Sequence, residues 1–390
     1  MMNVSRAASP HLGLRIMKVL YFVQFAAVGV FWTYITVYYR SIGLSGTQIG
    51  LIGTLSTLVS IFSMTFWALL NDRFGETRKL LMLVAAGTGL CALGISAART
   101  FGSIVVMACA YGVFASAIIP LLDSTTLGLL GDHPEQYGRQ RIWGSIGYVV
   151  TTAALGFILE RTGLHAMFAI YAIVVGCLVV TATWLPRQHI RLGSFSLHGL
   201  NEMIHRPPWL VFAASIFLIG LGFSGISSFV SVTVKAMGGS DVLIGISWTL
   251  SAVSELPIMF FSAALLRRMG ARQLLAIAFA MYTVRMLIYA IMPTPTWVIG
   301  IHAVFGSGFG LYWVSAVNYA NELAPAALKT TSQSLLTSMT SLANVIGALM
   351  CGWLFDELGP PGLFAILAVF CLVATVMFAA GGLALRRNET

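Results

Sequence analysis

Leu70-Asn71-Asp72-Arg73-Phe74-Gly75-Glu76-Thr77-Arg78 is a short charged run set between two long apolar stretches, residues 47–70 and 79–98. A related run, Leu265-Leu266-Arg267-Arg268-Met269-Gly270-Ala271-Arg272, stands between the apolar stretches 242–266 and 274–292. Gly75 and Gly270 are 195 residues apart in a chain of 390. A loop that returns after half the length marks two copies of one architecture.

Outward from these loops, apolar stretches of about 20 residues, the length a helix needs to cross a bilayer, recur along the whole chain. They lie near 16–39, 47–70, 79–98, 101–130, 142–160, 165–185, 209–236, 242–266, 274–292, 297–322, 331–355 and 363–385. The expected fold class is therefore all-α integral membrane, with 12 transmembrane helices in two six-helix repeats. The segments are apolar nearly all round, so the alternating strands of a transmembrane barrel do not fit. Composition agrees: 58% of residues are apolar and 9% charged, with mean hydropathy +0.88, where a soluble domain carries about a quarter charged residues. Secreted, cytosolic, disordered and nucleic-acid-binding classes are disfavoured together. The expected domains are a six-helix bundle over 1–185, a cytoplasmic linker over 186–208 holding Arg187, Arg191, Arg206, Pro207 and Pro208, and a second bundle over 209–390. Two parallel six-helix repeats describe secondary transporters whose site lies at the midplane between the halves.

The net charge of +9 reads as topology. With the N-terminus inside, 17 of the 22 Lys and Arg residues fall at inner helix ends and loops. Only Arg40, Arg99, Arg161 and Lys235 fall outside, and Arg285 lies in mid-span. By the positive-inside rule both termini are expected in the cytoplasm. Lys235 and Glu160, at outer helix ends, read as solvated. The first apolar run, after Arg6, Arg15 and Lys18, is too long for a signal-peptide core, so the first span is expected to be retained. Cys91, Cys109, Cys177, Cys351 and Cys371 sit in apolar stretches without paired spacing and read as packing residues.

An ionisable group at the centre of a span costs about 2.5–3.5 kcal/mol even on insertion scales, which makes it a functional candidate. Glu255 and Arg285 each stand 15 residues from Gly270, which puts both roughly 22 Å from that turn along their helices and at matching depth. They can neutralise each other. The functional reading is a switch in which Glu255 takes a proton when Arg285 moves away or is claimed by a ligand; the alternative is a fixed ion pair that sets packing. Pro257 suggests a bend close to Glu255. Asp123 and Arg141 each stand 9 residues from Asp132, so they too can pair or contact a ligand jointly, nearer the cytoplasmic face. His302 stands alone in its span, as a proton relay or a packing group. Tyr148 and Asn318, with Gln24, Tyr34, Ser224, Tyr312, Trp313 and Asn344, could line a cavity or serve as interhelical glue. There is no G-x-x-x-x-G-K-[ST] and no H-E-x-x-H, so neither ATP-driven transport nor metalloprotease chemistry is supported. No cofactor, metal or catalytic residue is expected, and the chain does not read as an enzyme.

Asp72, Arg73, Gly75 and Arg78 resemble the loop 2–3 signature of the major facilitator superfamily, with Ala68 in place of its leading glycine and one residue added after Gly75. Tyr137-Gly138-Arg139-Gln140-Arg141-Ile142-Trp143-Gly144-Ser145-Ile146-Gly147 is similar to the loop 4–5 signature of the lactose-permease-like and phenylpropionate-permease-like branch. That branch carries an acid eighteen residues before the arginine, the separation of Asp123 from Arg141. The resemblance puts the family's sugar-stacking aromatic at Tyr148, its span 9 arginine at Arg285, and the coupling glutamate of the phenylpropionate-permease-like members at Glu255. Span 10 departs: the His and Glu that couple protons in lactose permease fall at Phe305 and Gly308, one turn from His302 in the first case.

The resemblance and the charge placement together imply a proton-coupled symporter working by alternating access in a bacterial inner membrane. Glu255, Arg285 and His302 are the proton-coupling candidates, and Asp123, Arg141, Tyr148 and Asn318 the substrate-binding ones. Asp72, Arg73, Gly75, Arg78, Arg268 and Gly270 form the gating loops. The partners expected are protons, the lipid bilayer and a small polar organic solute, whether sugar, nucleoside or aromatic carboxylate. No nucleic acid is expected, and the working unit is taken as a monomer. A proton-driven exporter of drugs or metabolites is the alternative, followed by a lipid flippase or a non-transporting sensor.

Overall fold

The computed structural model describes residues 10–131, 133, 136–185, 207–325 and 328–387. Most of the expected linker, residues 186–206, lies outside them. Every element among the described residues is helical, as it must be where no water can satisfy exposed backbone groups. Ten segments are long and apolar enough to cross a membrane by length and composition, and Ala166–Ala182 is a shorter apolar helix. The exposed surface is itself apolar: Phe62 is 75% exposed and Phe260 82%, a display that water would not tolerate over so many positions.

The helices divide into two compact units, residues 1–38 with 55–193 and residues 39–54 with 194–390. The first holds most of α1 (Pro10–Ser41) and α2 (Gly46–Phe74), and all of α3 (Thr77–Ala97), α4 (Phe101–Leu130), α5 (Tyr137–Thr162) and α6 (Ala166–Ala182). Within it α3 packs along both α4 and α6. Phe31 of α1 stacks on Tyr111 of α4 with centroids 4.3 Å apart, and the Tyr171 hydroxyl of α6 donates to Tyr111 at 3.1 Å. Thr100 and Ser103 form a capping box that starts α4.

The second unit holds α7 (Pro207–Ala236), α8 (Asp241–Met269), α9 (Ala271–Ile291), α10 (Trp297–Phe305), α11 (Ser307–Leu323) and α12 (Lys329–Arg387). Here α7 and α9 both pack on α12. Pro207 and Pro208, expected to close the linker, instead open α7, where a missing N–H costs nothing. The stretch expected as span 10 is divided into α10 and α11 at Gly306, whose missing Cβ lets the backbone sit on Ser251 and Ser254 of α8. The stretches expected as spans 11 and 12 follow one another in α12 as two helical arms, separated at Gly359, whose backbone (φ 66°) is not helical, ahead of Pro360 and Pro361. Lys235 corrects another expectation: it is not simply solvated but bonds Asp241 at 2.8 Å across the α7–α8 turn.

The two glycines of the repeated loops do the same work. Gly75 (φ 63°) follows the last residue of α2 and its N–H reaches Asn71 O at 2.8 Å. Gly270 (φ 75°) follows α8 and its N–H reaches Leu266 O at 2.9 Å. Each is the left-handed glycine that ends a helix and satisfies one of its last carbonyls.

The first turns of α2 belong to the second unit and lie against α12. Asp356 accepts from the N–H groups of Gly46 and Thr47, both at 2.7 Å, and from Thr47 Oγ1 at 2.8 Å. A Cβ on Gly50 would fall on the Ala348 carbonyl, and one on Gly352 would fall on the Gly46 carbonyl. Thr54 Oγ1 donates to Val345 O at 2.6 Å. This is a small-residue seam in which helices meet backbone to backbone.

Candidate functional site

In the first unit, α4 and α5 bring Asp123 and Arg141 together: Arg141 Nη1 lies 3.3 Å from Asp123 Oδ1. The side chains stay 31% and 40% exposed respectively. The helix α1 completes the cluster with residues four apart, hence on one face. Tyr21, fully buried, donates to the same Oδ1 at 2.7 Å, and Phe25 lies under the guanidinium at 5.2 Å. Thr126 Oγ1, which donates to Leu122 O at 2.8 Å, lies 3.2 Å from the Tyr21 hydroxyl, and Arg141 Nη1 reaches the Tyr137 hydroxyl at 3.4 Å. Gly144 makes the approach possible, since a Cβ there would meet the Phe25 ring at 2.7 Å. Tyr148, two turns beyond Arg141, lies against Gly29 of α1.

In the second unit, Arg285 of α9 is only 4% exposed. Its Nε donates to the Tyr289 hydroxyl at 3.2 Å and its guanidinium lies 5.6 Å from the Tyr289 ring. Its Nη2 is buried with no hydrogen-bond partner among the described residues. The Tyr289 ring is in turn 6.2 Å from that of His302. His302 is fully buried and its Nδ1 lies 2.9 Å from the Ser247 carbonyl. A carbonyl only accepts, so Nδ1 carries the hydrogen. Nε2 has no hydrogen-bond partner among the described residues.

Glu255 of α8 lies against α11, where its Cγ is 2.7 Å from the place a Gly310 Cβ would occupy. No hydrogen bond or ion pair joins it to Arg285 among the described residues in this structure. Asn318 stays apart from this group: its Nδ2 donates to Val314 O of its own helix at 2.8 Å.

At the α2–α3 turn, Arg78 Nη1 donates to Thr183 O at the end of α6 at 3.2 Å. Arg73 lies 5.8 Å from the ring of its neighbour Phe74. Asn71 and Thr77 bond across Gly75 at 2.8 Å. Arg268 lies in the last turn of α8, before Gly270.

Sequence reasoning assigned no role to Tyr21, Phe25 and Tyr137 around Asp123 and Arg141, or to Tyr289 beside Arg285. An aromatic in an apolar span gives no signal of its own. The available hint was spacing: Tyr21 with Phe25, and Arg285 with Tyr289, are one helical turn apart.

A bundle of long apolar helices that keeps ionisable groups in such clusters fits a class of protein, the multi-pass membrane transporter. The pattern of the family described as "MFS_1 like family" matches residues 14–366, and the chain belongs to that family. Maltose permease of Geobacillus stearothermophilus is 28% identical over 342 residues, 86% of this chain and 85% of the permease. The probable 3-phenylpropionic acid transporter of Escherichia coli (strain K12) is 24% identical over 366 residues, 91% of this chain and 94% of the relative. Among solved structures, nucleoside transporter NupG superposes with a TM-score of 0.82 at 16% identity, covering 94% of this chain and 98% of that one. The protein is thus a transporter and not an enzyme.

Proposed function

We propose that the protein is a proton-coupled symporter of a small polar organic solute, a sugar, nucleoside or aromatic carboxylate, working by alternating access. The observation that carries this reading is the state of Glu255 and Arg285: a carboxylate and a guanidinium at span depth, unbonded to each other among the described residues, with Arg285 Nη2 left over. A group kept charged in the hydrocarbon region only for packing should be fully bonded. A carboxylate that gains and loses a proton, facing a guanidinium that is alternately claimed and released, needs the freedom seen here. Glu255 is the proton carrier in this reading, Arg285 its counter-charge, and His302 a coupling residue that adjoins Arg285 through Tyr289. Asp123, Arg141 and Tyr148 bind solute; Asp72, Arg73, Arg78 and Arg268 act in the gating loops. Counting α10 with α11 as one crossing, α6 as a crossing and the two arms of α12 about Gly359 separately gives twelve crossings in two six-helix repeats, in a bacterial inner membrane with both termini cytoplasmic, the working unit being a monomer.

The names of the relatives set the solutes to try. In proteoliposomes loaded at one pH and diluted into another, uptake of maltose, uridine or 3-phenylpropionate should rise when the outside is acidic. Uptake that needs an acidic interior instead identifies an exporter; flux indifferent to the gradient overturns proton coupling.

A further inference from the structure

We propose that Tyr21 is a positioning residue: its hydroxyl draws the Asp123 carboxylate away from Arg141 and so keeps part of the guanidinium free for solute. The inference rests on the reading of Asp123 and Arg141 as solute-binding residues.

The geometry of the pair is the starting point. An arginine facing a carboxylate ordinarily forms a two-point fork at about 2.7–2.9 Å. Asp123 and Arg141 make a single contact at 3.3 Å, one nitrogen to one oxygen. The oxygen concerned is the one that accepts the much shorter Tyr21 bond at 2.7 Å, so the phenol outcompetes the guanidinium for it. The short bond is anchored at its far side, because Tyr21 is fully buried and its hydroxyl lies 3.2 Å from Thr126 Oγ1, itself fixed by donating to Leu122 O at 2.8 Å. Arg141 is restrained by weaker means, the face of Phe25 at 5.2 Å and a 3.4 Å contact to Tyr137. Helix α1 therefore offers one side chain to each charge, a phenol to the carboxylate and a phenyl ring to the guanidinium. The Asp123 and Arg141 side chains keep 31% and 40% of their surface open while the residue that holds them apart has none. A fork between Asp123 and Arg141 would instead commit two donors of the guanidinium to the protein.

The test reads the guanidinium directly. Phenylglyoxal adds across two guanidinium nitrogens, so its rate at Arg141, followed by peptide mass spectrometry on the full chain in proteoliposomes, reports how far those nitrogens are engaged. Tyr21→Phe, which keeps the ring and removes the hydroxyl, should slow labelling of Arg141 by about fivefold or more as Asp123 closes on it, while exposed Arg139 labels at an unchanged rate. Adding Asp123→Asn to Tyr21→Phe should restore the fast rate. Thr126→Val, a second and milder variant, should slow labelling in the same direction. An Arg141 rate that is unchanged or faster in Tyr21→Phe and in Thr126→Val, with Arg139 constant, overturns the proposal. The underlying reading is tested separately by protection: whichever of maltose, uridine and 3-phenylpropionate is transported should shield Arg141 in the unmodified protein. Failure to shield, with the Tyr21 effect intact, overturns solute binding at Arg141 and with it the purpose assigned to Tyr21.

Discussion

A buried guanidinium whose hydrogen bond is to a phenol is an exacting arrangement. Arg285 has Tyr289 as its hydrogen-bond acceptor among the described residues. Removing that acceptor from a buried charged donor costs about 1–3 kcal/mol, so Tyr289→Phe should lower the unfolding midpoint in detergent accordingly. An unchanged midpoint would mean that Arg285 finds another acceptor when the phenol is gone. Glu255 makes the complementary prediction about function. With Glu255→Gln, exchange of solute between two equal pools should continue while accumulation against a gradient disappears; accumulation at the original level would take Glu255 out of the coupling step. Its place at span depth was legible because a carboxylate in an apolar run is conspicuous. Asp123 and Arg141 were legible because equal spacing from a turn fixes equal depth on two antiparallel helices. Tyr21 was not, since which face of α1 meets α4 depends on the contact of Phe25 with Gly144, and nothing in the run of apolar residues declares it.

Among the elements, α2 has the most specific attachment. Its first turn is capped by a carboxylate 310 positions away in the chain, Asp356 on the N–H of Gly46. An N-cap is worth about 0.5–2 kcal/mol, so Asp356→Ala should destabilise the protein by that order in a thermal melt, and Asp356→Asn by less. A melt indifferent to both would leave the glycine seam as the whole of the attachment. The helices themselves were readable as apolar runs of bilayer length, and the repeated loop marked two of their ends at Gly75 and Gly270. Gly359 with Pro360 and Pro361 reads as a break, and the positive-φ glycine does end one helix there, the prolines opening the next arm where N–H groups would be unpaired. What the run lengths did not reveal was the division of the stretch 297–322 at Gly306.

For the whole molecule, the distribution of basic residues makes a prediction that no single contact does. Alkaline phosphatase, active only outside the cytoplasm, should be active when inserted at Gly238 in the α7–α8 turn and inactive at Gly270 in the α8–α9 turn. The reverse pattern would invert the topology read from the 17 inner and four outer bases.

The seam of Gly46, Gly50, Ala348 and Gly352 carries a thermodynamic corollary. Ordering a glycine or alanine side chain forfeits essentially no rotamer freedom, whereas a lysine or methionine gives up about 1.5–2 kcal/mol. Two helices joined through such residues can part and rejoin without searching among side-chain arrangements. The opening turns of α2 are thus held by a fastening that resets at almost no entropic penalty.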